Sequence, residues 1–379
     1  MKLFRFYARL SLPLLLFSAL LAMLSLFTGK TLPYMGDLAY ISDRDGFNKL
    51  YLMDAQRQFN YSIKKTFIND CCLTWSPNGK ELAFVVDMSS DGSTDIFGVD
   101  FHSPVQRLTT APGADLYASY SPDSQYIAYT GYGYGNPEIY LMNADGSQSH
   151  VLTGEKRITN LNPYPVWSTD GQSVLFSDFG NLDSLLAVPT NCVEPCENAI
   201  QPVFNTNGLP LMTTTFIPLD QFRLFMAAFE RTQQGGYAMY SLDTKSSRPP
   251  ERLTINADLA SPSVAVYDHW IAFASGSTDL KQRPDEASLY VLDTNCIGTP
   301  NGCKNSIQKV AGQVRTEDDL SWSADGRWLA FVTISERKSQ LNLLDTTCVL
   351  EHQDCANNVH PLPIISTRYI RPVWRPNIH

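Results

Sequence analysis

Sustained helical periodicity is the first thing missing from this chain of 379 residues. Beyond residue 30, no apolar pattern of the i, i+3, i+4 kind runs for a dozen positions. That absence excludes helical bundles and sheets alternating with long helices. Apolar residues come instead in short runs punctuated by Gly, Pro, Asn, Asp and Ser, the pattern of an all-β chain. A nucleophile elbow, G-x-S-x-G, is also missing, and no stretch is left over for the catalytic domain that such an elbow serves. Histidine is sparse. His102, His150, His269, His352, His360 and His379 are scattered without H-E-x-x-H or any i, i+4 pair, which excludes a helix-borne zinc site. Basic charge is in deficit, with 29 Lys and Arg against 38 Asp and Glu. Phosphate backbones are held through Lys and Arg, so nucleic acid is not an expected partner. A hydrophobic content of 44% argues equally against disorder.

Residues 10–27 carry no charge, with Lys2, Arg5 and Arg9 before them and Lys30 after. A run of this length can span a hydrocarbon core of roughly 30 Å as a helix. The basic N-terminal flank leaves the N-terminus in the cytoplasm and exports the remainder. Residues 1–30 are therefore expected to be a signal-anchor or signal peptide, with residues 31–379 forming one extracytoplasmic domain. The exported part has a net charge of −13.

The chain repeats seven times at the 40- to 50-residue period of propeller blades. One strand recurs as DLAYISD, ELAFVVD, YIAYTGY, SVLFSDF, RLFMAAF, WIAFASG and WLAFVTI. The next recurs as KLYLMDA, DIFGVDF, EIYLMNA, SLLAVPT, YAMYSLD, SLYVLDT and QLNLLDT. An outer segment follows as SIKKTFI, QRLTT, SHVLTG, IQPVF, ERLTI, IQKVA and VHPLP. A further strand ending in a bulky residue precedes every repeat but the first, as in CLTWSPNG, ASYSPDS, PVWSTDG and LSWSADG, with weaker versions TTFIPLDQ and VAVYDH. The missing one stands at the far end, as RPVWRPN around Trp374. Its return to pair with residues 37–43 closes the first blade and limits exposed strand edges. The expected fold is an all-β, seven-bladed β-propeller of four-stranded antiparallel blades, preceded by one N-terminal transmembrane or signal helix.

The blocks WSPNGKELAF, YSPDSQYIAY, WSTDGQSVLF and WSADGRWLAF, with SDRDGFNKLYLMDA and NPEIYLMNADG, resemble the TolB-like, WD-repeat-like β-propeller family. The resemblance covers nearly all of residues 36–376, with blades four and five diverged. It implies the fold more firmly than the function, because this scaffold hosts many activities. The chain departs from the family's type member in having seven blades rather than six and no α/β domain ahead of them. A more distant resemblance to the non-catalytic propeller of prolyl-oligopeptidase-type enzymes brings no nucleophile with it.

Six of the eight cysteines fall at one equivalent place, the hairpin before the outer segment: Cys192 with Cys196, Cys296 with Cys303, and Cys348 with Cys355. Three local disulfides are expected there, in keeping with an oxidising compartment. Zinc would need four such ligands together, and each hairpin supplies two. The adjacent Cys71 and Cys72 are open to a vicinal disulfide, a reduced pair or a redox site.

Propeller geometry suggests where a ligand would bind. Loops leading into the innermost strand share one face with loops joining the next two strands, while the S-P-D-G turns and cysteine hairpins lie on the other. The first face is expected to carry Asp115, Tyr117, Tyr132, Tyr134, Arg157, Asn160, Asp258, Arg315, Asp318, Asp319, Arg368 and Arg371. Two acidic loops, SDRDG with Asp43 and Asp45, and DMSSDGSTD with Asp87, Asp91 and Asp95, lack the spacing of a calcium loop and read as polar hairpin tips. No catalytic set, metal or cofactor is expected. The chain is expected to bind an envelope protein or peptide as a scaffold in the periplasm or outside the cell, tethered to the bacterial cytoplasmic membrane. The alternative is a carbohydrate-active enzyme or sugar-binding protein with a central metal site.

Overall fold

A computed structural model describes residues 38–376 except 54–59, 64–67, 69–71, 89–91, 101, 134–135, 155–163, 179–183, 193–195, 206–210, 219–222, 231–235, 246–247, 254–258, 276–286, 300–302, 304–305, 313, 315–319, 336–337 and 367–369. The expected membrane segment thus lies outside the described residues. Among those described, no helix is long and apolar enough to cross a membrane.

Seven four-stranded antiparallel blades succeed one another along the chain. Blade 2 is typical: Thr74–Trp75 innermost, then Leu82–Asp87, Thr94–Val99 and Gln106–Arg107 at the rim. Blades 5 and 6 share one continuous sheet through the pair Tyr237↔Leu259. Blade 1 closes as the repeat predicts. Arg371–Trp374 pairs with Leu38–Ser42 in the register Leu38↔Trp374 to Ile41↔Arg371. Its outer strand, Asn60–Ile63, begins two residues before the SIKKTFI segment, and Ile68 of that segment bridges to Val86 of blade 2.

Side chains of a strand alternate between its two faces, and here each face meets a different neighbouring blade. In Leu82–Asp87, residues Leu82, Phe84 and Val86 pack with Ile41, Leu50 and Leu52 of blade 1. Ala83 and Val85, between them, pack with Ile127, Tyr129 and Met142 of blade 3. The core is accordingly a ring of inter-blade clusters, and a fully buried aliphatic or aromatic side chain contributes about 1.5–3 kcal/mol in such a place. Tryptophans tie the seams with polar bonds as well. The indole N–H groups of Trp75, Trp167 and Trp322 donate to the carbonyls of Val373, Ser119 and Ala265, each on the innermost strand of the preceding blade. At the closing seam, the Trp374 backbone N–H donates to Ser321 Oγ at 2.9 Å.

The turn motif behaves as its chemistry demands. Ser76, Ser121, Ser168 and Ser323 donate to the side-chain oxygens of Asn78, Asp123, Asp170 and Asp325, which in turn accept the amide two residues on. The fourth position is left-handed in all four turns, at Gly79, Ser124, Gly171 and Gly326. Ser124 stands where the others have glycine, and its hydroxyl accepts the Asn78 amide of the neighbouring turn. The disulfides Cys192–Cys196, Cys296–Cys303 and Cys348–Cys355 all form on this same face. Cys72 is disulfide-bonded too, while Cys71 lies outside the described residues.

Candidate ligand-binding face

The face opposite the disulfides gathers residues from three blades around the lead-in to blade 3. The innermost strand of that blade, Asp115–Tyr120, carries a bulge: Leu116 opposes Thr130, but the next pair is Ser119↔Ala128. One extra residue is thereby inserted, and Tyr117 takes the left-handed conformation at φ 58°. Such a backbone is uncommon for a bulky residue, and bulges re-aim side chains at functional rims. Here the bulge packs the Tyr117 ring against that of Tyr164, which leads into blade 4, with ring centroids 4.0 Å apart and the planes tilted by 45°. Tyr132, at the end of the next strand, lies close enough to raise the phenol pKa of Tyr117 further. Burial is the larger cause of that rise, and the Arg371 guanidinium of blade 1 opposes it. Tyr164 remains 47% exposed. The result is a wet-edged aromatic surface with a cation beside it, a combination suited to stacking on, and hydrogen bonding to, an extended polar chain.

Asp115 sits behind these tyrosines and departs from expectation. It was expected on a solvated loop face, yet it is 2% exposed, buried in the seam between blades 2 and 3. Gly131 opposite it has no side chain to spare: a Cβ there would lie 2.7 Å from the Tyr140 ring and 3.0 Å from Asp115 Oδ1. Burial drives the Asp115 carboxyl up to about 7, with the Thr109 hydroxyl opposing, Asp95 reinforcing and Arg107 opposing. Its Oδ2 is buried without a hydrogen-bond partner.

Asp95 corrects a second expectation. Rather than a hairpin tip, it is fully buried and accepts Arg107 Nη2 at 2.7 Å, while Arg107 Nε donates to the Thr109 carbonyl. The remaining loop acids serve their hairpins. Asp45 accepts Tyr51 Oη at 2.7 Å and Lys49 Nζ at 3.4 Å, Asp43 accepts the Ser366 hydroxyl, and Asp87 accepts Thr94 Oγ1. Asp91 lies outside the described residues. So do Tyr134, Arg157, Asn160, Asp258, Arg315, Asp318, Asp319 and Arg368 from the expected binding face. Among the described residues, no three of His, Cys, Asp and Glu come together as a metal-binding group. His102, His150 and His352 are exposed on hairpins or rim strands, and His360 packs edge-on against Trp328. The residue that sequence reasoning missed is Tyr164. Its signal was an aromatic held between Pro163 and Pro165 immediately before a blade's innermost strand.

Comparison with known proteins adds to this geometry. The family model described as the TolB beta propeller domain matches residues 32–190. Over those residues the chain is similar to that family. Over 105 residues it is 30% identical to a Tol-Pal system protein TolB of Desulfosudis oleivorans, covering 27% of this chain and 23% of that one. The chain spans less than half the length of the curated relatives it matches. Among solved structures, TolB from Acinetobacter baumannii is similar with a TM-score of 0.52 at 15% identity, over 94% of this chain and 70% of that chain. Oligogalacturonate lyase in complex with manganese is similar with a TM-score of 0.60, also at 15% identity, over 82% of this chain and 86% of that chain. Identities this low speak for the fold alone, which binding proteins and enzymes share. Blades 5, 6 and 7 and the outer strand of blade 4 lie beyond the matched residues, and these blades keep the four-stranded plan.

Proposed function

We propose that this TolB-like propeller is a binding module of the bacterial envelope that holds an extended protein segment or peptide against its tyrosine face. On this reading residues 10–27 tether it to the cytoplasmic membrane, with the propeller in the periplasm and no catalytic role of its own. The observation that carries the proposal is the bulge at Tyr117. A strained backbone position stands there, and it packs Tyr117 against the exposed Tyr164 beside Tyr132 and Arg371. Relatedness to a Tol-Pal system protein supports an envelope setting, and three disulfides support an oxidising compartment. Tyr117, Tyr132 and Arg371 are the described members of the proposed face, joined by Tyr164, while Asp115 is buried behind them. The test is affinity capture by the full chain from membranes of its own source, comparing wild type with Tyr164→Ala and Arg371→Glu. A discrete protein retained by wild type and lost from both variants is the expected result. Equal retention by all three would overturn the assignment of this face.

A further inference from the structure

The carboxyl behind the tyrosines is placed to control them. Asp115 is the first residue of its strand, and the bulge at Tyr117 follows two residues later. The chain leading into that strand is fastened on both sides. The Thr94 amide of blade 2 donates to the Gly113 carbonyl at 3.2 Å, and the Tyr132 amide of blade 3 donates to the Ala114 carbonyl at 2.9 Å. Next in line is the Asp115 side chain itself, sunk in the seam between blades 2 and 3 and 2% exposed. The approach to Tyr117 thus depends on this side chain staying where it is.

The seam suits that side chain only while it is neutral. Asp95 faces it from Thr94–Val99, and Arg107 of the outer strand and the Thr109 hydroxyl just beyond face it as well. Tyr129 stands against it from Tyr126–Gly131, and Tyr140 from Glu138–Asn143, with Glu138 accepting the Tyr140 hydroxyl. Among the described residues Arg107 is the one cation in this set, and it is committed elsewhere: Nη2 to Asp95 at 2.7 Å and Nε to the Thr109 carbonyl at 2.9 Å. Oδ2 of Asp115 and Oδ1 of Asp95 are both buried without a hydrogen-bond partner. An ionised carboxylate can only accept, and burying one unpaired beside a second carboxylate is costly. Once its proton passes to solvent, Asp115 therefore gains by leaving the seam for water, and Tyr117 is too near in the chain to stay behind. We infer that Asp115 is a proton-operated latch: protonated, it holds the bulge in the seam and Tyr117 against Tyr164, and ionised, it lets the bulge out. That this regulates binding rests on the role proposed for the tyrosine face.

Amide hydrogen exchange of the purified full chain, followed by mass spectrometry and corrected for the chemical rate at each pH, reads the opening directly. A carboxyl raised from 3.8 to about 7 in the closed seam makes the opening constant rise about a hundredfold between pH 5 and pH 8. Peptides over Asp115–Tyr120 should lose protection by that factor in the wild type, and should remain less protected than Trp328–Ser335 of blade 7. In Asp115→Asn their protection should not change with pH. Asp95→Asn provides a second variant: with Arg107 left to pair with Asp115, the rise should shrink to about tenfold. Protection of Asp115–Tyr120 that is independent of pH in the wild type would overturn the latch. So would protection equal to that of Trp328–Ser335 at every pH, since the opening would then be that of the whole ring. Exchange involves no partner, so these outcomes are separate from the capture experiment with Tyr164→Ala and Arg371→Glu, which can fail while the latch holds.

Discussion

Asp115→Asn isolates the buried carboxyl with almost no change in shape. Folding moves this group from an ordinary 3.8 up to about 7, chiefly because the seam between blades 2 and 3 excludes water from it. The sign follows from linkage: where the folded protein holds a proton that the unfolded chain has lost, stability falls as pH rises. The stability contributed by this group is full below about 3.8, declines through the interval up to about 7, and is constant above it. At roughly 1.4 kcal/mol per pH unit, the part lost between pH 5 and pH 8 is about 3 kcal/mol. Asn cannot ionise, so the variant lacks this component while keeping every other titration of the molecule. Urea unfolding of both proteins at pH 5 and pH 8 reads the difference directly. The wild type should lose about 3 kcal/mol more than Asp115→Asn on going to pH 8, and the variant should be the more stable of the two there. Parallel pH profiles would refute the reasoning, because they would mean that Asp115 titrates in the folded protein as it does in the unfolded chain.

Other consequences are as open to measurement. Gly326→Ala should cost more than 2 kcal/mol, because the new methyl at φ +68° would lie 2.0 Å from the Tyr267 ring; thermal unfolding with a near-native Tm would contradict that packing. Removing residues 371–379 deletes the closing strand, so cooperative unfolding should be lost, and a normal calorimetric transition would argue against closure. Replacing both Cys348 and Cys355 by Ala should cost about 2 kcal/mol or less, since the loop they close is short, and urea midpoints check it. Tyr164→Ala should leave Tm within a few degrees, given its exposure, yet weaken partner binding by tenfold or more.

The repeat was readable because each blade must satisfy the same local rules. Strand alternation and the bulky residue before the turn recur even where blades 4 and 5 have drifted, and blade 4 keeps the Ser-x-Asp turn as well, so Trp374 could be matched to its strand from the sequence. The site was less readable, for reasons that can be named. A bulge adds one residue without altering composition, so DLYASY reads as an ordinary strand, although Tyr117 is turned out of it. Asp95 directly follows a loop rich in Asp, Ser and Gly, and only the partner brought by QRLTT of the same blade, Arg107, explains its burial. Asp115 is buried by the neighbouring blade, a relation between residues in different repeats that no local pattern encodes. Tyr164 carries no pattern of its own, since a single aromatic before a strand is commonly core, yet it is 47% exposed.

The central claim is that recognition occurs on the tyrosine face rather than on the disulfide face. Photo-crosslinking tests it most directly, with benzoylphenylalanine placed at Tyr164 or at Leu350, which is 57% exposed in the Cys348–Cys355 hairpin on the opposite side. The account predicts a discrete adduct in native membranes from position 164 and none from position 350. Adducts from 350 alone, or equally from both positions, would contradict it.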